Sequence, residues 1–217
     1  MNAYPVSIEV ASDSGMFADP ISGSEAVSYP FPSGSAAYGI ITSVCRIVGV
    51  QIDIAAIATC SMPQWTKYTF NSRSPYRKGD TIAKDCACQI REMILYSPCF
   101  QILAFARNCG LLHPRWENNV NPAHSFQQQF ERRLRKGQNF RSVSMGRKEF
   151  ICSYVGPIVS QIEQGYNTVI PNMLYRMYDD QGNINPVFIQ NVAIKNGVLE
   201  WISGVAVIKD GRLAFRE

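Results

Sequence analysis

Two histidines and one dense basic run hold most of the chemistry this chain offers. Arg132, Arg133, Arg135, Lys136, Arg141, Arg147 and Lys148 stand in one stretch without an acidic residue, and they are a third of the chain's 21 Lys and Arg. Cations clustered without carboxylates are built to neutralise phosphates, so the run is a candidate nucleic-acid footprint, although the net charge of +4 is modest. His124 stands eight residues before the run, and an imidazole can take or give a proton near neutral pH. His113, beside Pro114 and Arg115, reads as a surface loop residue. Asp179 and Asp180 precede Gln181-Gly182 and read as turn acids, so no paired-carboxylate metal site is expected. The seven cysteines (Cys45, Cys60, Cys86, Cys88, Cys99, Cys109, Cys152) are odd in number and irregular in spacing, which fits free thiols better than a disulfide framework. Cys86-Ala87-Cys88 is the one close pair, and it lacks the partners of a tetrahedral zinc set. Neither a metal nor a cofactor is expected.

Elements of alternating period must carry these groups. Tyr4, Val6, Ile8 and Val10 alternate with polar or small residues, the period-2 pattern of a strand with one buried face. Behind a Ser33 cap, Ala37, Ile40, Ile41, Val44 and Val48 recur at helical spacing and predict the first helix. Val50, Ile52 and Ile54 predict a second strand, and the apolar stretch Cys99 to Ala106 a central one. Residues 61–85, polar and proline-bearing, read as a long exposed loop carrying Lys67, Arg73, Arg77 and Lys78. Asn121-Pro122 reads as cap and first position of a helix that buries Ala123, Phe126, Phe130 and Leu134 and stops at Gly137. Eleven residues make about three turns, so His124, Gln128, Glu131 and Arg135 share a line clear of that apolar stripe. Asn196-Gly197 and Asp210-Gly211 between short apolar runs predict two hairpins.

At 217 residues and 46% hydrophobic, the chain can bury a substantial core. It shows neither an apolar stretch of about 20 residues nor the basic-then-apolar start of a signal peptide, so a cytoplasmic protein is expected. The order of elements predicts an α+β fold, with a body over residues 1–150 and an antiparallel meander within 151–217. A small-molecule enzyme finds no support, since there is no Gly-rich phosphate fingerprint, nucleophile elbow or metal cluster.

Two stretches carry a resemblance. Val27-Ser28-Tyr29-Pro30-Phe31-Pro32-Ser33-Gly34-Ser35-Ala36-Ala37-Tyr38-Gly39-Ile40-Ile41 resembles the first-helix signature of the fifth CRISPR-associated family of the RAMP superfamily, in its type I-C branch. Phe130 to Gln138 followed by Met145-Gly146-Arg147-Lys148-Glu149-Phe150 resembles the family's basic helix, glycine stop and following turn. A weaker likeness runs from Leu174 to Asp179 and on to Asn196-Gly197-Val198. The resemblance implies a ferredoxin-like RNA-binding body with a small C-terminal sheet, seated at the 5′ handle of a crRNA. The implied partners are that crRNA, the backbone and large subunits of an effector complex and, through them, target DNA, with no membrane. It implies too a metal-independent cut of the precursor RNA.

That body would lay single-stranded bases over aromatic or arginine planes while cations hold the phosphates. The RNA-binding candidates are Tyr29, Gly34, Arg46, Arg73, Arg77, Arg132, Arg133, Arg135, Arg141, Arg147 and Lys148. Metal-free cleavage needs a base for the 2′-hydroxyl, a cation for the developing phosphorane charge and a donor to the leaving 5′-oxygen. In the type I-C branch these tasks fall to a tyrosine just after the first helix and a lysine-histidine pair early in the basic helix. Here Cys45 holds the tyrosine's position, and the helix begins Ala123-His124-Ser125. The candidates are therefore His124 as acid or base, Lys136 or Arg135 as cation, and Tyr38 as a neighbouring hydroxyl. A purely structural RNA binder, its RNA cut by a separate nuclease, is the alternative. Trp65, Trp116 and Trp201 read as packing anchors, while Gly34 and Gly39 are either close-packing positions or places where RNA meets the first helix.

Overall fold

Alternation builds the sheet as expected. In the computed structural model, which describes residues 3–23, 25–72, 76–78, 81–83, 88–109, 121–179 and 183–216, Val6, Ile8 and Val10 of strand β1 (Tyr4–Ala11) are fully buried on one face. Next come β2 (Ser14–Gly15), α1 (Gly34–Val44), β3 (Val50–Thr59), β4 (Trp65–Ser72), β5 (Tyr76–Lys78), β6 (Thr81–Ala83), β7 (Cys88–Tyr96) and β8 (Cys99–Asn108). They are followed by α2 (Pro122–Lys136), β9 (Tyr154–Gly156), β10 (Thr168–Tyr178), β11 (Ile184–Lys195), β12 (Val198–Glu200), β13 (Ala206–Lys209) and β14 (Arg212–Phe215). Seven of the strands form one antiparallel sheet in the order β10-β11-β12-β3-β8-β1-β9.

Both helices lie on one face of that sheet, α2 over β1 and β8 and α1 over β3 and β10. Phe31 and Phe100, with ring centroids 5.5 Å apart, and the stacked pair Phe126 and Phe130 fill the space between. Burial of an aromatic side chain of this size contributes about 1.5–3 kcal/mol. Caps fix where the helices begin: Ser33 Oγ accepts from the Ala36 amide at 3.1 Å, and Asn121 Oδ1 accepts from Ala123 and His124. Gly137 ends α2 with φ of 62°, a left-handed conformation that glycine adopts without a Cβ penalty. Among the described residues no helix is long and apolar enough to cross a membrane.

The second face of the sheet is covered as well. A β-bulge between Ile54 and Ala56 brings Ala55 and Ala56 to that side, where with Ala58 and Leu103 they pack against Ala206 and Leu213 of the β13–β14 hairpin. The small alanines let the hairpin come close. The expected laying of bases over the sheet is thus blocked at β3 and β8, because the chain's own tail occupies the place.

Two further expectations need correction. Residues 61–85 are not a long loop: β4 pairs with β7 from Trp65↔Leu95 to Ser72↔Cys88, and β5 pairs with β6. Most β4 side chains are exposed, so the strand carries no apolar alternation to betray it, and only Tyr68 and Phe70 turn inward. The C-terminal strands do not form a sheet of their own either. β12 bonds to β3 through Val198↔Ala58 and Leu199↔Ile57, so β10, β11 and β12 extend the sheet of the body, and only β13–β14 pairs apart. Both hairpin turns are as expected, with positive φ at Asn196, Gly197, Asp210 and Gly211, as two-residue type I′ loops require.

Candidate nucleic-acid interface

The basic residues gather where the ends of the two helices meet. Arg133 Nη1 donates to the Val44 carbonyl at 2.7 Å, and the Arg141 amide donates to the Ser43 carbonyl at 3.0 Å, so the last turn of α1 is capped by the chain around the end of α2. Carbonyls without helical partners carry the negative end of each helix dipole, and cations there are favourable. Arg133 is thereby a structural cap. Arg132, Arg135, Lys136 and Arg141 are exposed, and among the described residues none pairs with a carboxylate. Arg141 lies over the Phe140 ring at 5.6 Å. Arg46, two residues past the end of α1, is exposed as well.

Cys45, at the position of the family's tyrosine, is fully buried, and its Sγ donates to Gln129 Oε1 at 3.1 Å. Burial pushes the thiol up, against the opposing pull of Arg133 and Arg132. It is no proton donor for an incoming chain. His124 is exposed at the start of α2, with its ring 5.3 Å from that of Tyr4 and its Nε2 3.3 Å from Gln128 Nε2. The Tyr4 hydroxyl accepts from Asn121 Nδ2 at 2.7 Å. His124, Gln128, Glu131 and Arg135 are all exposed, as their shared line requires.

The three catalytic candidates are not brought together. His124 and Lys136 lie twelve residues apart on one straight element, which at the helical rise is about 18 Å. One phosphorane cannot meet both. Tyr38, 39% exposed on α1, touches neither of them among the described contacts. Tyr4, beside His124, escaped the sequence reading because Asn121, which orients its hydroxyl, lies 117 positions away.

Several RNA candidates have internal employment. Arg147 donates two hydrogen bonds, of 2.6 and 2.7 Å, to the buried Glu92 carboxylate. The Tyr29 hydroxyl donates to Asp19 Oδ1 at 3.0 Å, and burial together with that carboxylate pushes its pKa up. Gly34 is buried, and a Cβ there would stand 2.4 Å from the Tyr175 carbonyl oxygen, so the close approach is by β10. Gly39 faces open space. Lys148 is exposed. Arg73 lies outside the described residues, as do His113, Trp116 and Cys86. The side chains of Arg77, Lys78 and Cys88 lie outside them too. Of the tryptophans, Trp201 packs on Tyr175 with centroids 5.0 Å apart, while Trp65 is 40% exposed.

No family model matches the sequence, and no curated protein matches it. Solved structures do. The crystal structure of a CRISPR-associated protein superposes with a TM-score of 0.68 over 94% of this chain and 95% of that one, at 17% sequence identity. The chain has the fold of a CRISPR-associated protein. A functionally uncharacterized protein from Streptococcus mutans has the same fold, with a TM-score of 0.65 and 15% identity over 92% of this chain and 94% of that one. A chain of a CRISPR RNA-guided surveillance complex matches with a TM-score of 0.50 and 10% identity, over 90% of this chain and 91% of its own length. At these identities the likeness is one of fold.

Proposed function

We propose that this chain is the subunit of a type I CRISPR effector complex that holds the 5′ handle of the crRNA in the cytoplasm. The observation that carries this reading is the group of exposed cations that have no carboxylate partner among the described residues, Arg132, Arg135, Lys136 and Arg141, where the ends of the two helices meet. It stands on a fold shared with a CRISPR-associated protein. The strand order β9-β1-β8-β3 with both helices on one face supports a ferredoxin-like body. Four exposed cations around one corner suit a bent RNA backbone, because each neutralised phosphate releases counterions and contributes to affinity. The backbone and large subunits of the complex are the implied protein partners.

A second reading adds cleavage of the precursor, and the exposed His124 beside Tyr4 favours it. His124 would take the 2′-hydroxyl proton as that oxygen attacks the adjacent phosphorus, and the departing 5′-oxygen would gain a proton, leaving a cyclic phosphate. Lys136 is too distant along α2 to assist. Incubation of the purified protein with its own repeat RNA in EDTA separates the readings. Tight binding with a single cut that falls 10²–10⁴-fold in His124→Ala, the usual contribution of a general acid or base, supports cleavage. Tight binding without a cut selects the structural holder. Equal affinity for repeat and unrelated RNA refutes the handle-binding reading.

A further inference from the structure

An aromatic groove lies away from the basic corner, between the 17–30 segment, β4 and the start of β10. Its volume is 380 Å³, and its walls include Tyr29, Trp65, Tyr166 and Val169. Trp65 is 40% exposed and Val169 56%, although Trp65 Nε1 is already spent on the Ser28 carbonyl at 3.0 Å. The polar groups of the wall include a carboxylate. Asp19 Oδ1 takes the Tyr29 hydroxyl and the Ile21 amide, at 3.0 and 2.9 Å, while its Oδ2 takes no donor among the described residues. Asn172 lines the groove too, and its Oδ1 is buried without a partner. A ligand that brings an N–H donor gains a hydrogen bond at Asp19 Oδ2, which has none among the described residues. Among the described residues no lysine or arginine lines the groove.

Cations lie further along the same strands. Tyr68 turns to the core, with its ring 5.6 Å from Phe150, so Trp65, Lys67 and Thr69 share the opposite face of β4. Arg91 of β7 is the direct partner of Thr69 and joins them on that face. Lys67 and Arg91 are exposed, and no carboxylate pairs with either among the described residues. Trp65 and Lys67 are one strand repeat apart, roughly 7 Å, a span suited to a stacked base and its own phosphate. An apolar groove alone would suit a protein segment as well. Two exposed cations on the neighbouring strands and an open carboxylate oxygen within favour a polyanion whose flat groups carry amines.

We propose that this groove is a nucleobase slot. One unpaired base bearing an amino group, from single-stranded RNA, stacks on Trp65 and donates to Asp19 Oδ2, while Lys67 and Arg91 hold the flanking phosphates. The slot rests on the reading of the chain as an RNA-binding subunit, and it adds base selection to a surface that otherwise senses only phosphates.

Fluorescence anisotropy with labelled ten-nucleotide oligoadenylate and oligouridylate tests it, with the melting of each variant followed in parallel. The parent protein should bind oligoadenylate about tenfold more tightly than oligouridylate. Trp65→Ala should lose about tenfold for oligoadenylate, in line with stacking on one aromatic platform, and Trp65→Phe should retain most of the affinity. Lys67→Ala with Arg91→Ala should weaken both oligonucleotides alike. Equal affinities of the parent for the two oligonucleotides, or an unchanged affinity in a folded Trp65→Ala protein, overturns the slot. So does a Trp65→Ala protein that keeps its RNA affinity but no longer co-purifies with its protein partners, since the groove is then a subunit contact. Arg132→Ala/Arg135→Ala/Lys136→Ala, measured beside these, separates the two readings. If that variant alone loses RNA, the slot fails and the RNA-binding subunit stands; if neither set loses RNA, both fail.

Discussion

Glu92 and Arg147 form a two-pronged ion pair in which the carboxylate side chain is 2% exposed and the guanidinium 33%. It ties β7 to the turn after α2, where Gly146, with φ of 84°, leaves room for the Met16 carbonyl. The turn that resembles the family's signature is therefore an anchor between the β4–β7 arm and the body.

Breaking that pair from one side should be costly. Arg147→Met leaves a buried carboxylate alone and should destabilise the fold by about 3–5 kcal/mol in urea unfolding. The double variant Glu92→Gln/Arg147→Met should recover much of the loss. RNA affinity of the folded fraction should not change, and a drop in it would restore Arg147 to the RNA-binding set.

Salt dependence should report on the exposed cations. In Arg132→Ala/Arg135→Ala/Lys136→Ala, the slope of log affinity against log salt should fall by about 2, at about 0.7 for each lost contact with a single strand. A slope equal to that of the parent would make these residues a solvated face.

The two glycines of the first helix should behave differently. Gly34→Ala pushes a methyl group against the Tyr175 carbonyl and should cost about 1–3 kcal/mol of stability. Gly39→Ala, in open space, should gain about 1 kcal/mol from helix propensity. Gly39→Val should fold as well as the parent yet assemble or bind RNA less tightly. Parent-like assembly and affinity in it would mark ordinary helix surface.

Alkaline pH should weaken the fold through Cys152, whose thiol burial pushes up to about 12 from an ordinary value of 9.0. Above pH 9 the unfolded chain loses this proton while the folded chain keeps it, so stability is constant below about pH 9 and falls towards pH 12. Cys152→Ala should show a shallower decline in melting temperature over that range. An identical decline would assign the effect to other groups.

What was legible in the sequence were the elements whose local chemistry is self-contained. Ser33, Asn121-Pro122 and Gly137 mark helix ends through bonds spanning a few residues, and Asn196-Gly197 and Asp210-Gly211 mark turns through their backbone preferences. β4 was hidden because a strand that turns only Tyr68 and Phe70 inward shows too little apolar alternation to be read. The seat of β12 against β3 was hidden because its partners lie some 140 positions apart and neither segment names the other.

At the candidate site, the sequence located the cations but not their use. Arg133 and Arg132 are neighbours of one type, yet the first caps α1 and the second is exposed, a difference set by the Val44 carbonyl and not by local pattern. The distance between His124 and Lys136, by contrast, could be read from helical rise alone.

The seat of β12 also orders events during synthesis. One edge of β3 finds its partner in β8, but the other waits for residues 198–200, near the end of the chain. Until the ribosome has delivered them, Ala56 to Ala58 present unpaired backbone groups in an apolar strand, the type of edge that recruits foreign strands. Closure of the sheet is thus a late and non-local step of folding, and a nascent chain stalled short of Val198 carries an open edge at the centre of its own sheet.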